Sequence, residues 1–144
     1  MKKIILIILI LVGVGFLVRI LLPSFVTPRQ VTNEGYVANA LHNIISFQAI
    51  FKKQDRDKDG KKDYAQNIGE LCKSGLLSSD LASGKWHGYY FVVVGKDGNG
   101  KKWHATASPI KPGITGYKYF YVDETGVIRF EKDKPATKDN PPVD

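Results

Sequence analysis

Four aspartates in a short stretch of this 144-residue chain have the spacing of calcium ligands. They occupy positions one, three, five and nine of a calcium-binding loop, as Asp55, Asp57, Asp59 and Asp63. Gly60 stands at the sixth position, where such loops need a glycine for a sharp turn. Calcium takes about six to eight oxygen ligands, which the carboxylates, the Lys61 carbonyl and water would together provide. The spacing therefore predicts a calcium site with these four aspartates as metal ligands.

The same stretch has features that weaken calcium binding. Position twelve is Gln66 rather than the bidentate glutamate of a calcium loop. Six cations accompany the four aspartates between Phe51 and Asp63, and these are Lys52, Lys53, Arg56, Lys58, Lys61 and Lys62. Surface ion pairs between the two sets of charges would hold the loop together without a metal. A solvated charged loop is therefore the alternative to a calcium site.

The chain is basic, with 21 Lys+Arg against 14 Asp+Glu and a pI near 9.4. A positive excess of this kind is typical of proteins that bind nucleic acid or anionic lipid. However, residues 1–29 contain four cations and no acid, so they supply +4 of the net charge of +7. The sequence therefore predicts no specific nucleic-acid site. It also lacks nucleophile or metalloprotease motifs such as G-x-S-x-G and H-E-x-x-H, and we expect no enzymatic activity.

An apolar stretch covers residues 4–22 and is interrupted by a single charge, Arg19, near its end. As a helix it would be roughly 28 Å long at ~1.5 Å per residue, close to the ~30 Å hydrocarbon thickness of a membrane. No A-x-A-like site follows it, which favours an uncleaved anchor over a cleaved secretory signal. Lys2 and Lys3 precede it and, by the positive-inside rule, predict a cytoplasmic N-terminus. We therefore expect a transmembrane anchor over residues 1–24, with the rest of the chain outside the cytoplasm.

Beyond the anchor, the pattern predicts one globular head over residues 25–130 and a tail. The elements expected in the head are a helix over 28–53, the charged loop 54–66, a short helix over 67–74 and strands within 87–130. Residues 131–144 contain three prolines and alternating charges, which predict a disordered tail.

The long helix has a single apolar stripe at helical spacing. Its members are Val37, Leu41, Ile44, Gln48 and Phe51. Gln48 is the polar member, and we expect its amide to hydrogen-bond the backbone of a neighbouring loop. The order of elements predicts an α+β fold in which a transmembrane helix continues into an amphipathic helix packed on a four-stranded antiparallel sheet.

Several segments resemble type IV pilins and the pseudopilins of type II secretion. They are the apolar helix ending in Leu22-Pro23-Ser24-Phe25, the run Asn33-Glu34-Gly35-Tyr36, and the segments ALHNIISFQAIFKKQDRDKDGKKDYA, LASGKWHGYYF, ATASPIKPGITG and YFYVDETGVIRF. The resemblance implies a long helix packed on an antiparallel sheet, no enzymatic activity, and assembly with other pilin-like subunits through the N-terminal helix. Some pseudopilins bind calcium in the head, although their ligands do not match this loop residue by residue. The chain departs from the family where the prepilin cleavage motif and the glutamate near the mature N-terminus would stand.

The anchor, the head and the resemblance together predict a membrane-anchored pilin-like protein on the outer face of a bacterial inner membrane. Its expected role is that of a structural or accessory subunit of a type IV pilus or a secretion apparatus. The alternative is a tethered extracytoplasmic binding module, which holds its ligand through the calcium loop or through a basic and aromatic surface. A pilin-type subunit would co-purify with other pilins, whereas a binding module would keep its partner without the anchor.

Overall fold

A computed structural model of the chain describes residues 28–95 and 99–143. Within these residues three helices and five strands follow one another along the chain. They are α1 (Pro28–Gln54), α2 (Ile68–Lys73), α3 (Ser79–Ala82), β1 (Lys85–Trp86), β2 (Tyr89–Gly95), β3 (Trp103–Pro109), β4 (Lys118–Asp123) and β5 (Arg129–Lys132).

The long helix α1 has the buried stripe that the sequence predicts. All five members of the stripe are buried, and Leu41, Ile44 and Gln48 are fully inaccessible to solvent. Asn43, on the other side of the helix, is exposed. Burying each large aliphatic side chain contributes about 1.5–3 kcal/mol to the free energy of folding. The Gln48 amide donates to Ala65 O at 2.9 Å, which confirms the predicted bond to a loop backbone.

The five strands form one antiparallel sheet in the order β1-β2-β3-β4-β5. The predicted four-stranded sheet was therefore wrong, because β1 adds a short strand at one edge. A turn at His87 and Gly88 reverses the chain so that Trp86 pairs with Tyr89. Both turn residues have positive φ angles, 44° and 78°, as a type I′ hairpin turn requires. A strand of two residues has no alternating pattern of its own, so only its pairing with β2 defines it.

The core lies between α1 and one face of the sheet. The core residues of the three central strands are Tyr89, Phe91 and Val93 from β2, Trp103, Ala105 and Ala107 from β3, and Phe120 and Val122 from β4. In the register of the sheet, Ala107 pairs with Phe91 on one side and with Phe120 on the other. Small side chains in the central strand thus stand between large ones, an arrangement that fills the layer without voids.

Polar side chains join the first turns of α1 to the connection between β3 and β4. The bonds are Gln30 Nε2 to Gly113 O (2.6 Å), Asn33 Nδ2 to Thr115 O (2.9 Å), and Tyr117 N to Glu34 Oε1 (2.8 Å). Gln30 and Asn33 are buried, so these bonds satisfy amide groups whose burial would otherwise be costly. They fix the start of α1 against the sheet. Helical periodicity does not reveal such partners, because they lie more than 80 residues away in the chain.

The predicted disordered tail, residues 131–144, begins within β5, and residues 133–143 pack beside that strand. The contacts are Phe130 N to Pro141 O (3.2 Å), Val143 N to Ile128 O (2.9 Å) and the Arg129 guanidinium to Asn140 O (2.7 Å). Ala136 is also buried. The segment therefore covers part of the edge that β5 would otherwise present to solvent.

The predicted transmembrane anchor, residues 1–24, lies outside the described residues. In the described part of the chain, no helix is long and apolar enough to cross a membrane. The fold-class prediction, a transmembrane helix continuing into a helix on four strands, is corrected accordingly. The structure supports an α+β domain in which one long helix packs on a five-stranded antiparallel sheet.

Candidate metal site

The aspartate loop begins where α1 ends, and its first aspartate belongs to the helix cap. Asp55 has a positive φ angle of 48°, and the following amide, Arg56 N, donates to Phe51 O at 3.3 Å. This is the Schellman arrangement, in which glycine is the usual residue at the left-handed position. A residue with a Cβ costs about 1–2 kcal/mol there, less for aspartate, whose short polar side chain can bond locally. Asp55 therefore both ends α1 and contributes its carboxylate to the loop.

Backbone amides fold the loop around its carboxylates. Gly60 N donates to Asp55 Oδ2 at 3.0 Å, and Lys61 N donates to Asp59 Oδ1 at 2.8 Å. Gly60 has a φ angle of 82°, a conformation that glycine adopts without strain. The glycine at the sixth position therefore has the turning role that the spacing predicts, and its amide closes the loop against the first aspartate.

The structure brings three of the four predicted ligands together. Asp55, Asp57 and Asp59 each offer one carboxylate oxygen, and these oxygens lie within 4.8 Å of one another. Asp63 is not part of this group, and its carboxylate packs against Gly100 in the β2–β3 connection. The Oδ1 atom of Asp55 is buried and has no hydrogen-bond partner among the described residues. Three convergent carboxylates offer part of a calcium shell, which also accepts backbone carbonyls and water.

Desolvation and mutual repulsion raise the pKa of two loop carboxyls. Desolvation raises the pKa of Asp57 above its ordinary value of 3.8, and a hydrogen bond with Asp55 and the charge of Asp59 raise it further. Desolvation also raises the pKa of Asp63, and the charge of Asp59 adds to this effect while Lys61 opposes it. A divalent cation between these carboxylates would relieve the repulsion that raises both pKa values.

Ion pairs do little to neutralise the loop. Lys61 Nζ lies 3.4 Å from Asp59 Oδ2, at a position where the lysine is largely exposed. Lys52 instead lies over the ring of Tyr64, with its ammonium 4.2 Å from the ring centroid. No other ion pair joins these aspartates to a cation among the residues that the structure describes. An exposed pair of this kind contributes about 0–1 kcal/mol, so ion pairing adds little to the stability of the loop, and the solvated charged loop stays the alternative to a calcium site.

Three hydrogen bonds to backbone carbonyls join the end of the loop to the core. They are Tyr64 N to Gly100 O (2.7 Å), Gln48 Nε2 to Ala65 O (2.9 Å) and Gly95 N to Gln66 O (2.9 Å). Ala65 itself is fully buried. Both ends of the loop are therefore fixed, the first by the cap of α1 and the second by hydrogen bonds to the sheet. These contacts restrict the backbone that positions the carboxylates.

The twelfth position supplies no carboxylate. The Gln66 amide nitrogen donates to Tyr64 O at 2.6 Å, and the side chain lies over Gly95, where an added Cβ would overlap it. The next acid after Gln66 is Glu70, whose Oε2 accepts Gln66 N at 2.7 Å and whose Oε1 accepts Asn67 Nδ2 at 2.8 Å. Asn67 caps α2 by accepting Glu70 N through Oδ1 at 3.0 Å, and the Glu70 carboxylate holds this cap in place. The ligand set lacks the bidentate glutamate of tight sites, so any calcium affinity will be at the weak end of the range.

An aromatic cluster of Tyr36, Trp86 and His87 is a second surface feature that the sequence analysis did not predict, with Tyr36 and His87 exposed and Trp86 half-buried against the core. His87 stacks on Tyr36 with centroids 4.1 Å apart and meets Trp86 edge-on at 4.3 Å. The turn at His87 brings these rings from two distant parts of the chain together. His42 and His104 lie on α1 and β3, and histidines contribute to no metal-ligating group among the described residues.

The similarity of the chain to known proteins, as found in three comparisons, bears on the pilin resemblance. The description of the chain as a pilin or as a component of type II secretion is corrected, because these comparisons offer no support for it. No protein-family model matches the chain, and no curated protein or solved structure matches it either.

Proposed function

We propose that this chain is a non-enzymatic extracytoplasmic domain that binds calcium in the loop formed by residues 55–63. The observation that carries the proposal is the convergence of Asp55, Asp57 and Asp59, whose oxygens lie within 4.8 Å of one another at the end of a long helix. Oxygen ligands of this hardness suit calcium better than they suit the softer transition metals.

Two features of the loop further support calcium as the ligand. Asp55 occupies a left-handed position that glycine normally fills, so the sequence tolerates backbone strain where a carboxylate is placed. Desolvation raises the pKa of Asp57, and the hydrogen bond with Asp55 and the charges of Asp59 and Asp63 raise it further, so part of this shift is repulsion between carboxylates. Bound calcium would remove that repulsion and join the end of α1 to the turn at Gly60.

The ligands present determine the expected calcium affinity, and that affinity indicates the compartment in which the site would be filled. Three clustered aspartates without a bidentate glutamate suit a dissociation constant on the order of 10⁻⁴–10⁻³ M, as in extracellular modules. A site of this affinity fills where calcium is millimolar, outside the cytoplasm. Calcium would then act as a structural clip that stiffens the loop and the surface around it.

The calcium-bound domain would serve either to bind a partner or to give structural support to a larger assembly. The aromatic cluster of Tyr36, Trp86 and His87 favours binding, because the exposed rings of Tyr36 and His87 are held in place by the half-buried Trp86 and suit recognition of a partner. A structural or accessory subunit of a larger assembly is the other role that the sequence predicts, and it stays a prediction.

Titration calorimetry of the full chain in neutral-detergent micelles tests calcium binding directly. We expect one calcium per chain, with magnesium at least about tenfold weaker because it demands a tighter octahedral shell. Asp59→Asn should abolish the calcium heat, whereas Asp139→Asn, which removes an exposed aspartate of the C-terminal segment, should leave it unchanged. Equal heats in the two variants, or no saturable heat up to 10 mM calcium (about ten times the weaker limit), would refute the proposal.

A further inference from the structure

Positive charge collects at the end of the domain that carries the aspartate loop. Two segments meet there, residues 52–73 and residues 101–102. They contain nine cations: Lys52, Lys53, Arg56, Lys58, Lys61, Lys62, Lys73, Lys101 and Lys102. The five acids of the same segments are Asp55, Asp57, Asp59, Asp63 and Glu70. The bond from Tyr64 N to Gly100 O joins the segments, so lysines far apart in sequence share one surface. We call this surface the basic end.

An open cleft of about 420 Å³ lies within the basic end, between the last residues of α1 and those of α2. Its lining residues are Gln54, Asp55, Arg56, Lys58, Lys73 and Ser74. Three of these six are cations and one is an acid. Asp55 uses Oδ2 to accept Gly60 N, so part of its charge is already satisfied by the loop.

The three cations of the cleft have no carboxylate partner. Arg56, Lys58 and Lys73 form no ion pair with any described residue. Lys73 ends α2, and the negative end of a helix dipole accounts for a cation there. Arg56 and Lys58 follow the C-terminus of α1 in the loop, and the helix dipole favours Arg56, two residues beyond the helix, more than Lys58. Lys58 is held there by its left-handed backbone, with a φ angle of 59°, and by the bond from its amide to Asp55 O.

We propose that this cleft binds an oxyanion, a phosphate or sulfate group. The Arg56 guanidinium offers paired N–H donors that match two oxygens of such a group, and Lys58 and Lys73 add compact positive charges. The exposed Gln54 amide is a neutral donor beside them. Ser74 Oγ donates to Leu71 O, so the hydroxyl is not counted as a donor. The other lysines of the basic end raise the local concentration of anions around the cleft.

The oxyanion is either free phosphate or the headgroup of an anionic lipid, and its binding does not require calcium. The test therefore uses full-chain protein in neutral-detergent micelles without calcium, so that it stands or fails separately from the calcium site. Inorganic phosphate is titrated at low salt while backbone amide shifts are followed by NMR. In a second arm the micelles are doped with phosphatidic acid instead.

We expect saturable shifts in residues 54–58 and 73–75 with inorganic phosphate. Arg56→Gln combined with Lys73→Gln should weaken phosphate about tenfold or more, since each removes a charge-assisted donor. Lys111→Gln combined with Lys132→Gln removes the same charge from exposed lysines outside the basic end, and should change the affinity less than about twofold. Shifts of the same residues with phosphatidic acid identify a lipid headgroup as the source, and shifts with phosphate alone identify the free ion.

Two results would overturn the inference. One is the absence of saturable shifts in both arms. The other is an equal loss of affinity in the two double variants, because this would mean that phosphate responds to net charge and not to the cleft. The variants change exposed side chains, and an unchanged melting temperature in each verifies that a loss of binding is not a loss of folding.

Discussion

Replacing Asp57 by asparagine separates calcium binding from charge repulsion, because the two effects have opposite signs. In the calcium-free protein, desolvation raises the pKa of Asp57, and the hydrogen bond with Asp55 and repulsion by Asp59 and Asp63 raise it further. Asparagine keeps the shape of the side chain and removes its charge. Asp57→Asn should therefore melt at the same temperature as the parent or slightly higher when calcium is absent. With calcium present, the variant should lose a ligand and should no longer respond.

The size of the calcium effect follows from mass action. With a dissociation constant on the order of 10⁻⁴–10⁻³ M, 10 mM calcium is about 10–100 times that constant. Binding to the folded state alone then adds about 1.4–2.7 kcal/mol to the free energy of unfolding. For a domain of this size, 1 kcal/mol shifts the melting temperature by about 3–5 °C. The melting temperature of the parent should therefore rise by about 4–14 °C, and that of Asp57→Asn by less than about 1 °C.

Tryptophan fluorescence during thermal unfolding is a suitable assay. Both tryptophans, Trp86 and Trp103, lie in the described domain, and Trp103 is almost fully buried. Full-chain parent, Asp57→Asn and the control Asp139→Asn are melted with calcium and in calcium-free buffer. The control should respond to calcium as the parent does. A parent that does not respond to 10 mM calcium (about ten times the weaker expected constant), or an Asp57→Asn that responds fully, would refute the reasoning.

The pH dependence of folding stability is an independent test of the same site. A carboxyl whose pKa is raised in the folded state stabilises that state at low pH, and this contribution is lost as pH rises through the folded value. The calcium-free parent should lose this contribution as pH rises above 3.8, and Asp57→Asn should lose less of it. Calcium needs ionised ligands, so its stabilising effect should vanish as pH falls through the raised pKa values. Melting curves between pH 3 and 7 (approximately) measure both trends.

The remaining predictions concern the frame around the site, and urea unfolding measures each of them. Leu41→Ala should lower the free energy of unfolding by about 2–5 kcal/mol because Leu41 is fully buried, and Asn43→Ala on the exposed side should cost less than about 1 kcal/mol. Similar costs at both positions would contradict the packing of α1. Gly116→Ala should cost about 1–3 kcal/mol because the new Cβ would overlap the Tyr89 hydroxyl. Gly35→Ala is its matched control, since nothing lies within 4 Å of a Cβ there, and it should stabilise the helix by about 0.5–1 kcal/mol. A neutral Gly116→Ala would mean that the tyrosine moves aside freely.

The sequence by itself determined the features that depend on local spacing. The stripe of α1 follows from the helical period, and Gln48 could be identified as a polar residue that must find a partner within it. The turning glycine and the first three aspartates follow from the spacing of a loop whose residues are close in sequence. Local patterns of this kind survive folding because neighbours in the chain remain neighbours in space.

Only the tertiary structure decided the features that join distant segments. Strand β1 exists because the turn at His87 pairs it with β2, and two residues are too few to carry a pattern. Asp63 lies outside the carboxylate group because its side chain packs against Gly100, which comes from the β2–β3 connection. The basic end likewise forms when that connection reaches Tyr64. In each case a backbone contact between segments many residues apart sets the position of the side chains. The sequence pattern of one segment does not show which distant segment it will contact.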